Sequence, residues 1–505
     1  MEVPSDPTPD RPEQPPPAQP PPAQSPSEHP PPKQPAAPQP PPGPTPSRAA
    51  DAPASGPRPA DDATPTPSPT PTSPLARLNS LLPQGPWRSP LRGPWLTSVF
   101  GVVLLVGIPV LFVTGLLSYA AYNPNLSPVN DKTPGKGLLG FYLFSWPTHP
   151  YWLYRVDQGV HVTLGIVLVP VLLAKLWSVV PKLFTLPPVR SPAHALDRLS
   201  LLLLVGGGIF EFVTGVLNVQ LDYLFPGSFY PLHFYGAWVF FGAVAAHVAL
   251  RLPRTVRALR SRDFRAELRT PASRTVPEAA DDSGLVSTHP AAPTMSRRGA
   301  LGLVGLGSVA LFVVTAGQSI GGPLRETALL APHGRDPGTG PNGFPINKTA
   351  ALAHIRPQDV GEGWRLVVHG AGNGRRVSLT LDELRAMARH GSALPIACVE
   401  GWSTSDQHWE GVRLADLAAL VGHPTDPPGV FVESAQLSGS FRAVALRANQ
   451  VRDPRSLLAL RVNGAELSHD HGYPARIIVP NAPGVMNTKW VRQLTFGATT
   501  FGARA

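Results

Sequence analysis

A single cysteine, Cys398, stands in 505 residues. No intramolecular disulfide can form, and zinc or iron–sulfur sites built from several thiolates are excluded. Acidic residues are scarce, 33 against 43 lysines and arginines, for a net charge of +10. Such a balance points to an anionic membrane surface or to nucleic acid. Residues 1–74 lack Leu, Ile, Phe, Tyr and Trp altogether, yet hold 29 of the 65 prolines. That composition cannot bury enough apolar surface to offset its ordering entropy. Residues 1–90 are therefore read as a disordered, partly polyproline-II tail, either a ligand for an SH3-like partner or a spacer. The chain opens without the basic-then-apolar pattern of a secretory signal.

Long apolar runs are what the rest of the first half has. Trp95–Tyr119, Val160–Val180, Leu199–Leu221, Leu232–Leu252 and Gly299–Ile320 each reach the length a membrane helix needs, about 20 residues. Arginines cluster before the first run, between the second and third, and over Arg251–Arg274, whereas the 120–154 loop has only Lys132 and Lys136 and the 222–231 loop has neither Lys nor Arg. The positive-inside bias makes the tail and the Arg-rich 256–298 linker cytoplasmic and everything after residue 320 external. It also accounts for the basic balance with a lipid partner and no nucleic acid. Ser296-Arg297-Arg298-Gly299-Ala300-Leu301 reads either as an internal twin-arginine export motif, with Ala in place of the usual aromatic, or as two more positive-inside arginines.

Phe112-Val113-Thr114-Gly115 recurs as Phe212-Val213-Thr214-Gly215, so residues 91–255 are expected to be two copies of a helical hairpin forming a four-helix bundle. His161 lies 20 residues before Pro181 and His233 lies 20 before Pro253, the expected ends of the second and fourth spans. The two imidazoles thus share one depth toward the outer face, as ligands of a b-type haem would. His247 follows His233 by 14 residues, about four helical turns and nearly on the same face. This spacing resembles the two-haem helices of membrane cytochromes b. The repeat mate of His247 is Lys175, so a second haem would need His194 as its other ligand. Glu211 stands where the repeat has Leu111, either for quinone protonation or bonded within the bundle.

From residue 335 to 505 the pattern changes to short strands and helices, an α+β domain. Strands are expected at Trp364–Gly370 and Gly429–Glu433, and helices at Ser378–His390 and Arg413–Val421. Cys398 sits in Leu394-Pro395-Ile396-Ala397-Cys398-Val399-Glu400-Gly401-Trp402-Ser403. Downstream come Asn463-Gly464-Ala465-Glu466-Leu467, His471-Gly472-Tyr473-Pro474-Ala475-Arg476, Val479-Pro480, Gly484 and Asn487-Thr488-Lys489-Trp490-Val491. In order and spacing, about residues 340–500 resemble the molybdopterin-binding domain of the sulfite oxidase superfamily. The resemblance implies one molybdenum held by a pterin dithiolene and by the Cys398 thiolate. A soft donor needing no second cysteine suits that metal. It further implies pterin contacts from His471, Arg476, Asn487, Thr488, Lys489, Ser434 and Asn347. The Gly-Asn-Arg-Arg type run that follows the cysteine in sulfite oxidases is replaced here by Val399-Glu400-Gly401-Trp402-Ser403. That run is closer to the branch containing periplasmic methionine sulfoxide reductases.

The chain is thus expected to be multi-domain. A disordered tail precedes an all-α transmembrane four-helix bundle, a further helix over 299–320 and a sulfite oxidase-like α+β domain. The expected function is oxygen-atom transfer on a small molecule outside the membrane, coupled through one b haem, or two, to the quinone pool. Sulfite oxidation and a non-catalytic redox sensor are the competing readings.

Overall fold

The computed structural model describes residues 86–122, 144, 146–183, 191–219, 229–279, 284–287, 289–331, 341–387, 389–437 and 442–497. The tail up to residue 85, Lys132 and Lys136, and the side chain of His194 lie outside the described residues.

The helical half consists of α1 (Pro94–Tyr122), α2 (Leu153–Val167), α3 (Val169–Leu183), α4 (Pro192–Asn218) and α5 (Tyr230–Arg260). A short α6 (Phe264–Arg269) follows, then α7 (Arg297–Val313) and one turn, α8 (Gly317–Ile320). Among the described residues four helices are long and apolar enough to cross a membrane, or five if the α2–α3 pair is one span bent by 40°. The expected second span is thus broken, and Pro170 gives the reason: it lacks an N–H and its ring crowds the carbonyl four residues earlier. Two expected ends are also displaced. α3 continues through Pro181 to Leu183, and α5 continues through Pro253 to Arg260. In α5 the following run Arg254–Arg260 is rich in residues that favour helix and carries the helix past the lost bond.

α1 packs on α2, α3 and α5, and α4 packs on α5. The ring of Phe112 stacks on Phe241 at 4.0 Å and meets Trp238 edge-on at 5.0 Å. At the other end of α5, Asp263 caps α6 by accepting from Ala266 N at 2.7 Å. Glu267 of that helix accepts from Arg262 Nη1 at 2.5 Å and Arg297 Nη1 at 3.0 Å, and Arg297 also donates to the Val276 carbonyl at 2.9 Å. Arg297 is therefore fully buried while Arg298 beside it is exposed.

Among the described residues the C-terminal half has ten strands: β1 (Leu366–Gly370), β2 (Arg376–Leu379), β3 (His390–Leu394), β4 (Gln407–Arg413), β5 (Val430–Ser434), β6 (Ala443–Leu446), β7 (Leu457–Val462), β8 (Ala465–Glu466), β9 (Arg476–Ile478) and β10 (Val491–Phe496). One sheet has the order β2-β1-β10-β5-β6; the other is β3-β4-β7-β8, with β9 on β7. β1 pairs in parallel with β10, joining the ends of the domain; the other strand pairs are antiparallel. Val430-Phe431-Val432 of β5 is buried on both faces, as a central strand with a continuous apolar run should be. Leu366, Val368, Val432, Leu458, Ile477 and Leu494 meet in the main core.

The short helices are α9 (Leu381–Ala386), α10 (Leu414–Leu420) and α11 (Ala448–Arg452). The helix expected over 378–390 is thus shortened to α9. Thr380 forms a capping box, accepting from Glu383 N at 3.0 Å while Glu383 Oε2 accepts from Thr380 N at 2.7 Å. Ser378 lies in β2 and His390 opens β3, because both segments are claimed by sheet pairing.

Candidate functional site

The candidate residues of the C-terminal half lie at strand ends and in the turns between strands of both sheets. Cys398 follows β3, Ser434 ends β5, His471 lies in the turn after β8, Arg476 opens β9, and Asn487–Lys489 precede β10. Ser434 Oγ donates to the Lys489 carbonyl at 2.8 Å. Lys489 Nζ donates to the carbonyls of Lys348 at 2.8 Å and Asp470 at 2.9 Å. Arg476 donates to the His471 carbonyl at 3.1 Å and the Asn487 carbonyl at 3.3 Å, and its guanidinium lies 5.1 Å from the centre of the Trp409 ring. The His471 ring is stacked on Phe344 at 3.8 Å. Asn487 Oδ1 accepts from Val479 N at 3.0 Å. Asn347 is half-buried next to Lys348. Gly472, at φ 107°, leaves no room for a side chain: a Cβ there would stand 3.0 Å from that of Lys489.

These cations are dry. Burial pushes Arg476 down to about 9 and Lys489 well below its ordinary value, the latter helped by the Arg476 charge. Burial also lowers Lys348. Arg476 Nε and Thr488 Oγ1 are buried with no hydrogen-bond partner among the described residues. Cations held by carbonyls alone, beside orphaned donors, fit a buried anion such as the pterin phosphate. The Cys398 thiol is buried, and desolvation followed by the Glu400 carboxylate raises it well above its ordinary value. Its Sγ lies 3.5 Å from Glu400 Oε2, which also accepts from Trp402 Nε1 at 2.8 Å. A thiol so placed reacts little on its own; a bound metal cation would reverse that and hold it as thiolate. The residues present therefore fit molybdopterin.

In the helical half, the His161 and His233 rings lie edge-on to one another, with centres 6.2 Å apart and planes nearly perpendicular at 86°. Thr114 Oγ1 lies 2.9 Å from His161 Nδ1, and Thr214 Oγ1 lies 3.0 Å from His233 Nδ1. Each hydroxyl spends its one proton on a carbonyl of its own helix, Val110 or Phe210, both at 2.8 Å. It must therefore accept from the imidazole. Nδ1 carries the proton and the Nε2 lone pair is left for a metal. Two metal–nitrogen bonds of about 2 Å would separate the ring centres by roughly 6 Å. Gly115 and Gly215 make room for the rings, since a Cβ at either would stand 3.2 Å from the ring Cε1. Glu211 Oε2 lies 3.2 Å from His233 Nδ1, the within-bundle alternative of the two expected for it. His247 and Lys175 line a separate crevice of about 1530 Å³, together with Arg251, Arg254 and Arg257. No second histidine joins His247 there among the described residues.

Sequence reasoning missed Lys348 and Gln436, whose side chains pair at 2.8 Å within the cradle. The only signal was the place of Lys348 beside Asn347. It also missed Gln158 and Asn481, which bond the two halves together. Gln158 donates to the Val399 carbonyl at 2.5 Å, and Asn481 Oδ1 accepts from Tyr154 N at 2.7 Å. Polar residues at the mouth of an apolar span were the sign available for Gln158.

Residues 353–503 match the family model described as the oxidoreductase molybdopterin binding domain. The chain is 30% identical over 156 residues to the mitochondrial sulfite oxidase of Homo sapiens, covering 26% of this chain and 29% of that protein. It is 30% identical over 153 residues to the uncharacterized oxidoreductase YuiH of Bacillus subtilis (strain 168), covering 30% of this chain and 73% of the relative. A solved structure, the sulfane dehydrogenase SoxCD from Paracoccus pantotrophus, is similar at 26% identity over 27% of this chain and 38% of that chain, with a TM-score of 0.24. The chain thus spans under a third of the length of the mammalian sulfite oxidases it matches, 29%.

Proposed function

The chain belongs, through its C-terminal domain, to the sulfite oxidase family of molybdopterin-binding oxidoreductases, and from that premise we propose a membrane enzyme that joins oxygen-atom transfer to a b-type haem. When bound, molybdopterin supplies two-electron oxygen-atom transfer at its metal. Cys398 would give that metal its protein thiolate. Arg476, Lys489 and Lys348 would hold the phosphate, with Thr488, His471, Asn487, Ser434 and Asn347 around the pterin. His161 and His233 would hold the haem iron through Nε2, and the crevice with His247 and Lys175 would serve exchange with the quinone pool. The tail and the 256–298 linker would lie in the cytoplasm and the 335–505 domain outside.

The observation that carries this reading is the contact between the halves: the helix bearing His161 touches the loop bearing Cys398, with Gln158 bonded to the Val399 carbonyl. Nothing in a merely tethered anchor would require that contact. For the substrate, the names of the relatives favour sulfite. Against it, Glu400 puts a carboxylate 3.5 Å from the thiol, which disfavours a dianion. We therefore prefer a neutral oxygen-atom donor, in keeping with the resemblance to the methionine sulfoxide reductase branch.

The test is the metal content of the detergent-purified full chain. We expect one molybdenum per chain and one iron with a b-type spectrum, molybdenum lost in Cys398→Ser and iron lost in His161→Ala. Two irons would add a second haem at His247. Correctly assembled protein without iron would overturn the haem reading and leave the molybdopterin enzyme.

A further inference from the structure

The loop that carries Cys398 is held from outside its own domain. Its carbonyls at alternate positions, Val399, Gly401 and Ser403, accept from Gln158, Ser319 and Arg325, the first at 2.5 Å and the last at 2.6 Å. All three donors belong to the helical half or to the turn that follows α8. Ser403 N also donates to the Gln318 carbonyl at 3.0 Å. Gly401, at φ 92°, has Val162 pressed against it; a Cβ there would lie 2.7 Å from that of Val162.

A second set of bonds lies beside the first. Asn481, at φ 56°, is in the left-handed region that Asn tolerates better than most residues. It makes three bonds to the segment leading into α2. Its Nδ2 donates to the Pro147 carbonyl, its Oδ1 accepts from Tyr154 N, and its carbonyl accepts from the buried Trp146 Nε1, each at 2.7 Å. Asn449 and Arg455 donate to the Trp146 and Thr148 carbonyls at 2.9 and 3.1 Å.

We propose that this interface is a fixed electron-transfer contact built into the chain, with Gln158 and Asn481 as its positioning residues. The inference rests on the haem reading above. Gln158 and Val162 are four residues apart on α2 and so share one face, and both touch the Cys398 loop. His161 lies between them in sequence, within one helical turn of the bond to Val399, about 5.4 Å along the axis. The route from the thiolate loop to the imidazole is thus one hydrogen bond and one turn of helix. A domain without this contact would sample many distances and pass electrons only on encounter. A domain clamped by Asn481 holds one distance. Gln158 and Asn481 touch no substrate or cofactor; they act by holding the loop that does.

The experiment compares the purified full chain with Gln158→Leu and Asn481→Ala in two ways. Hydrogen–deuterium exchange reads the amides of residues 398–403 with or without cofactors. Flash photoreduction with a deazaflavin follows haem absorbance as electrons redistribute toward molybdenum. Protected amides in the parent and faster exchange in both variants are expected. Redistribution should slow by about tenfold in Gln158→Leu and more in Asn481→Ala, with molybdenum and iron contents and haem potential unchanged. Freely exchanging amides in the parent would overturn the docked contact. An unchanged rate in variants whose loop has loosened would overturn its role in transfer. Absence of haem from the parent would sink the haem reading, while the exchange arm would still decide the contact.

Discussion

Lys489 and Arg476 bring positive charge into the domain and find main-chain carbonyls rather than carboxylates at the end of their side chains. In an empty site this is costly, because neutral dipoles do not replace the hydration of a cation. The fold retains them for an anion, and the trade is testable at a single residue. Lys489→Met removes a buried charge while keeping most of the stem's volume. Apo protein carrying it should melt no lower than the parent. Molybdenum retained after extensive dialysis should fall at least tenfold, a charged hydrogen bond being worth about 1.5–3 kcal/mol. A lower apo melting temperature with unchanged molybdenum would make Lys489 a structural residue only.

At the scale of elements, the repeat Phe-Val-Thr-Gly is legible in the sequence alone, because the same four residues stand in two apolar runs. Its detail, a threonine orienting each imidazole and a glycine making room for it, is not, since Thr114 meets His161 from 47 residues away and Thr214 meets His233 from 19. What resisted reading was tertiary. The bend after Val167 depends on Pro170 acting within an otherwise continuous apolar run, and the extension of α5 beyond Pro253 lies where hydropathy ends but helix propensity does not. Lys348, Gln436, Gln158 and Asn481 acquire their roles from partners 88 to 335 residues away. No local pattern encodes that. The glycine argument predicts that Gly115→Leu, whose first carbon alone would stand 3.2 Å from the His161 ring, displaces that ring. Haem measured as the pyridine haemochrome should fall at least fivefold per chain, roughly the effect of 1 kcal/mol or more of overpacking, while molybdenum content stays at the parent level. Loss of both metals together would mean that the variant fails to assemble.

For the whole molecule, the order of assembly follows from where the buried groups lie. The candidate pterin contacts run from Asn347 to Lys489, and β1 pairs with β10 across the domain, so the cradle exists only once the domain has folded. A ligand sealed inside it has to be present at that time. If loading occurs on the cytoplasmic side, the domain must cross the membrane folded, which is the task of a twin-arginine signal rather than of a threaded span. Arg297→Lys with Arg298→Lys separates the two readings of that motif, since it preserves both positive charges. Under the positive-inside reading alone the topology should be unchanged. Under the export reading, a protease added outside spheroplasts should no longer reach the C-terminal domain, while the four-helix part still inserts. Arg297 also has a buried bond to Glu267 at 3.0 Å, which lysine would remake poorly, so the substitution alone could act through the linker. Glu267→Gln weakens the same ion pair without touching the motif. Export lost in the double lysine variant and retained in Glu267→Gln would assign the effect to recognition of the arginines, and export lost in both would assign it to the folded linker.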